Sequence, residues 1–125
     1  MNAILLVASG GAIGSVLRYL TGLAMTRLFG IAFPYGTLVV NVVGGLIMGL
    51  FIELLTRRFE GSEELRLFVA VGILGGFTTF SSFSLDVVML WQRGETASAA
   101  FYVLISVVLS ICAVFLGLWL ARTVA

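Results

Sequence analysis

The sequence predicts an all-α membrane protein of four transmembrane helices, the third of them broken within the membrane. Three observations carry this. The chain of 125 residues is 61% hydrophobic and only 10% charged, more apolar than a soluble domain can cover with polar surface. Four apolar stretches each run to about twenty residues, the length that crosses a hydrocarbon core. The third stretch also holds a run of glycines and hydroxyl residues that makes a poor continuous helix.

Taken in order, the first span covers about residues 3–25 and carries one charge, Arg18. No positively charged segment precedes it, which argues against a cleaved secretory signal. The second covers about 36–56 and follows Pro34, the only proline, in a Pro-Tyr-Gly turn signal suited to helix entry. The third covers about 67–91, with Asp86 near its far end, and the fourth about 96–121. The longest polar segment, 57–66, reads as a solvated loop or helix end. Connections this short make consecutive helices antiparallel neighbours within one domain, residues 1–125.

Arg57, Arg58, Arg66 and Arg122 fall on the side of the N-terminus, and Arg27 and Arg93 on the other. The excess favours a cytoplasmic N-terminus only slightly. Charge alone therefore leaves two arrangements open, a single orientation and an antiparallel, dual-topology dimer.

The inventory excludes several function classes. There is no His, and the single cysteine, Cys112, sits in an apolar run. A His/Cys metal site, an intrachain disulfide and a nucleophile–His pair are all unavailable, so an enzyme is not expected. A net charge of +1 provides no basic field for nucleic acid. No acid stands in the middle of any span to carry protons, and a proton-coupled drug exporter would need one in the first helix, where this chain has Arg18.

Glycines at 10 and 14, 45 and 49, and 72 and 76 are spaced for close helix packing, within one bundle or between two copies. A purely structural membrane subunit would use them, yet that class leaves the broken helix unexplained. The sharpest chemical signal is Gly75-Gly76-Phe77-Thr78-Thr79-Phe80-Ser81-Ser82-Phe83-Ser84. Backbone freed at membrane depth has to be satisfied by protein, water or an ion. Its carbonyls suit a small cation and its hydroxyls an anion. Phe80 and Phe83 project to the same side when helical, and a phenyl ring meets an anion with its positive edge. Asn41, alone in the run 38–43, either donates to an anion or ties two helices together. Tyr102, Ser106 and Ser110 repeat every four residues and form a ladder of hydroxyls along one helix face. Arg18 and Asp86 pair with each other, anchor the chain at the interfaces, or line the mouth of a pore.

These residues resemble a known family, the Fluc (CrcB) fluoride channels. The run at 75–84 is similar to that family's GGxTTFSTFS signature, with Ser82 in place of the commoner Thr. Gly14-Ser15-Val16-Leu17-Arg18-Tyr19 resembles its first-helix Arg motif, and Gly36-Thr37-Leu38-Val39-Val40-Asn41 its GTLxVN motif. Asp86 stands where the family often has Glu. The motifs follow one another in order over essentially the whole chain. The resemblance implies a dual-topology homodimer with two antiparallel pores for passive fluoride export, in the bacterial inner membrane, with no other protein partner. It implies that Phe80 and Phe83 contact fluoride by their edges and that Asn41 donates to it. Thr37, Ser81, Ser84, Tyr102, Ser106 and Ser110 are then candidates for a polar track, with Arg18 at the vestibule. The carbonyls of Gly75 and Thr78, from both copies, would hold a structural Na+ ion. A pore for fluoride must replace a tightly held water shell with many donors, and the hydroxyl and amide inventory supplies them.

Overall fold

The computed structural model describes residues 2–124, and the elements found there are helical. Helix α1 (Ala3–Phe29) begins at Asn2, whose side chain accepts the Ile4 N–H at 2.8 Å, an N-cap for an otherwise orphan donor. It ends at Gly30, whose positive φ of 79° suits a residue without Cβ. Helix α2 (Tyr35–Arg58) follows Pro34. A short α3 (Glu63–Leu65), capped by Ser62, continues into a π-helical segment, Arg66–Leu74, and a single turn, α4 (Gly75–Phe77). After residues 78–80 come α5 (Ser81–Gln92) and then α6 (Thr96–Val124).

Four helical stretches are long and apolar enough to cross a membrane: Ala3–Phe29, Tyr35–Arg58, Glu63–Gln92 and Thr96–Val124. The chain is a multi-pass membrane protein. Each stretch outruns its sequence-predicted span by three to five residues, because the first and last turns carry polar residues that hydropathy leaves out. Large apolar side chains such as Phe115, Leu104 and Trp119 stand exposed along α6, as they do where the solvent is lipid. The ends of the bundle match the arginine distribution. At one end Arg58 donates to the Val124 carbonyl, and Glu53 accepts from both Arg57 (2.7 Å) and Arg122 (3.0 Å). At the other, Arg93 donates to the Ala32 carbonyl at 2.8 Å.

The paired glycines act inside the chain. A Cβ on Gly10 or Gly14 would run into the backbone of Phe68, Gly72 or Ile73, and one on Gly76 into Gly11. On the other side of the bundle, Gly45 and Gly49 lie against the Ser110 and Val114 carbonyls, and Gly117 against Leu46 and Leu50. Two close backbone contacts result, α1 with the π-helical segment and α2 with α6, both driven by van der Waals packing. Of the two uses open to these glycines in the sequence, the structure shows the one within a single bundle.

The π-helical segment has no counterpart in the sequence-based expectation of a plain helix. Its nine residues exceed the usual single π turn. The Gly75 N–H bonds five residues back, to Ala70. An uninterrupted apolar run carries no mark that distinguishes this pairing from an α-helix.

Candidate functional site

The third span changes course at Thr78, whose ψ of 158° is extended rather than helical. The bonds that a continuous helix would make across this point are diverted. Thr79 N–H would close a turn on the Gly75 carbonyl; it donates instead to Asn41 Oδ1 at 2.8 Å. Ser82 N–H would close on the Thr78 carbonyl; it donates instead to Thr79 Oγ1 at 3.1 Å, in the manner of an N-cap. Asn41 Nδ2 completes the arrangement by donating to the Thr79 carbonyl at 3.0 Å. Asn41 thus ties α2 to the interruption, the second of its two sequence-based options, while one of its two N–H groups remains available.

Beside this point lies a groove of about 360 Å³. It brings together Asn41, Phe80, Phe83, Ser106 and Ser110, with Thr78 and Thr79 at its edge. The phenyl rings of Phe80 and Phe83 are 5.6 Å apart, so they do share a side. Their settings differ, however. Phe83 is 8% exposed and packs on the Tyr102 ring at 5.1 Å, whereas Phe80 is 77% exposed. The two serines are the most telling members. Ser9, Thr21, Thr56 and Ser84 all donate to a carbonyl of their own helix four residues back, the usual outlet for a hydroxyl in an apolar setting. Ser106 Oγ and Ser110 Oγ are buried and make no such bond. A buried polar atom without a partner is costly unless something else reaches it.

A second recess, of about 390 Å³, is lined by Arg18, Thr37, Thr79, Ser82 and Asp86 among others. Arg18 and Asp86 face it together but are not partners. Arg18 Nε donates to the Gly76 carbonyl at 3.1 Å, and Nη1 reaches Ser82 Oγ at 3.5 Å. Asp86 Oδ2 accepts from the Tyr102 hydroxyl at 3.0 Å. The expected ladder on α6 is therefore divided. The Tyr102 hydroxyl serves Asp86, which lines the recess, its ring packs on Phe83, and Ser106 and Ser110 line the groove with their hydroxyl oxygens buried.

Three pathway candidates, Tyr102, Ser81 and Ser84, line neither cavity. The Ser84 hydroxyl is spent on the Phe80 carbonyl at 2.9 Å, and Ser81 Oγ lies 3.5 Å from Thr79 Oγ1. Thr79 is the residue that sequence reasoning missed as a centre of the site. Its N–H, C=O and hydroxyl are all engaged. The available signal was a Thr placed three residues ahead of Ser82, where a helix restarts.

Among the described residues no three His, Cys, Asp or Glu side chains gather to hold a metal. The oxygen donors on offer are the backbone carbonyls of Gly75 and Thr78, both deprived of their helical N–H partners. Such carbonyls fit a hard monovalent cation.

Residues 5–118 match the family described as CrcB-like protein, Camphor Resistance (CrcB). Similar proteins named "Fluoride-specific ion channel FluC" occur in Agrobacterium fabrum (59% identical), Chelativorans sp. strain BNC1 (56%) and Mesorhizobium japonicum (56%). The matches cover 98%, 99% and 98% of this chain, and the same shares of those relatives. These relatives are named for ion conduction and not for an enzymatic reaction. With the signature at 75–84 built into the interruption of its third span, this chain belongs to the CrcB-like protein family.

Proposed function

We propose that the chain is a fluoride-selective channel that lets fluoride leave the cytoplasm passively through the bacterial inner membrane. The names of its relatives support the ion. The observation that carries the reading is the groove, where two phenyl rings stand beside the unpartnered hydroxyls of Ser106 and Ser110. An anion in that groove would meet ring edges and hydroxyl donors without any fixed positive charge. That combination replaces fluoride's water while leaving it free to move on. Arg18, at the recess on the other side of Thr79, is suited to raise the local anion concentration.

The working unit in this proposal is an antiparallel, dual-topology homodimer with two pores. Support comes from the near-balanced arginine distribution and from Phe80, 77% exposed on the single chain although it lines the groove. A second copy would close the groove's open side. A structural Na+ ion belongs to the same proposal. The freed carbonyls of Gly75 and Thr78, contributed by both copies, would hold it, and it would supply positive charge to fix the interrupted helices against each other. The proposal is tested by fluoride efflux from liposomes containing the purified protein, compared with chloride efflux under the same gradient.

A further inference from the structure

Three carbonyls, those of Gly75, Gly76 and Thr78, lose their helical donors where the third span is interrupted, and a side chain from another helix stands at one of them. In a continuous helix the Gly76 carbonyl would accept the Phe80 N–H, four residues on. It accepts instead from Arg18 Nε of α1, at 3.1 Å. The far arm of the same guanidinium reaches past residues 78–80 to Ser82 Oγ in the first turn of α5, at 3.5 Å. Arg18 thus touches the chain on both sides of the interruption. A planar guanidinium makes this possible because its donors are fixed in a fork, whereas an ammonium is a single charged point on a flexible stem.

We infer that Arg18 is a positioning residue, a brace that spans the interruption and claims the Gly76 carbonyl, leaving those of Gly75 and Thr78 open to a cation. A carbonyl without a donor is costly in an apolar surrounding. Arg18 removes that cost at Gly76, and its positive charge keeps a cation from binding there. Asn41 does the complementary work from α2 by drawing off the Thr79 N–H. The order of the motif follows: of two adjacent glycines, one carbonyl is tied to protein and its neighbour is released.

The test separates geometry from charge. Arg18→Lys keeps the charge and loses the fork. The brace predicts that amide hydrogen exchange at residues 79–84 becomes about tenfold faster in this variant, with α2 and α6 unchanged. It also predicts fluoride efflux slower by about tenfold and a higher sodium concentration for half-maximal efflux. Wild-type exchange and wild-type efflux in Arg18→Lys would overturn it, since a residue that only attracts anions is replaced well by lysine. If exchange instead rises along the whole chain, Ser82→Ala decides, because it removes only the far arm. Faster exchange confined to 79–84 upholds the brace, and unchanged exchange overturns it. The efflux readout rests on the fluoride-channel reading and the exchange readout does not. A wild-type protein that passes no fluoride would end the former and leave the latter comparison intact.

Discussion

Asn41 and Thr79 pair through two hydrogen bonds, the side-chain amide of one against the backbone amide of the other, at 2.8 and 3.0 Å. This pairing replaces a helical bond in the third span with one to α2, so the interruption is set by a side chain on a neighbouring helix. It follows that Asn41 has a structural task even if its second N–H also meets an anion. Asn41→Leu should lower stability by about 1–3 kcal/mol, the cost of leaving a part-buried amide unpaired. Asn41→Asp, which keeps the acceptor but sets a carboxylate oxygen against the Thr79 carbonyl, should be destabilised at least as much in thermal unfolding in detergent.

The two phenylalanines of the groove should behave differently on substitution. Phe80→Ile and Phe83→Ile are both expected to cut fluoride efflux while the protein stays assembled. Phe83 packs on Tyr102 and is nearly buried, so its variant should also lose about 1–2 kcal/mol of stability. Phe80, largely exposed in the single chain, should lose less. Paired efflux and unfolding measurements would separate the two effects, and wild-type efflux in both variants would contradict an edge-on role.

Ser106 and Ser110 offer the sharpest split between stability and activity. Their hydroxyls are buried without partners, so Ser→Ala removes an unsatisfied polar group and should leave stability unchanged or raise it, by up to about 1 kcal/mol. Efflux should fall. A loss of stability in either variant would show that the hydroxyl has a structural partner.

Gly49 lies against the Val114 carbonyl and Gly45 against that of Ser110. Gly49→Val should therefore prevent α2 and α6 from closing and abolish recovery of folded protein. A Cβ on Gly22 would meet nothing within 4 Å, and Gly22→Ala should be recovered normally. Size-exclusion recovery after detergent extraction reads both.

The sequence made the four spans, their order and the ends of the bundle legible, because hydropathy over about twenty residues and the placement of arginines are local signals. The shared side of Phe80 and Phe83 followed from a spacing of three. What stayed hidden depends on partners distant in the chain. Nothing near Arg18 indicates that its guanidinium reaches Gly76 and not Asp86. The ladder of Tyr102, Ser106 and Ser110 shares one face of α6, but what each hydroxyl meets is decided by α5, which supplies Asp86 to Tyr102. Ser84 looked like its neighbours, and only the geometry of its own turn shows the hydroxyl already spent. The nine-residue π-helical segment left no compositional trace at all.

The central claim is that a groove built from Phe80, Phe83, Ser106 and Ser110 conducts fluoride. Liposomes reconstituted with the wild-type protein and loaded with equal fluoride and chloride test it most directly, with an ion-selective electrode for each anion. The account predicts rapid fluoride loss with chloride retained, and loss of that fluoride flux in Phe80→Ile. Fluoride leaving no faster than chloride would contradict it.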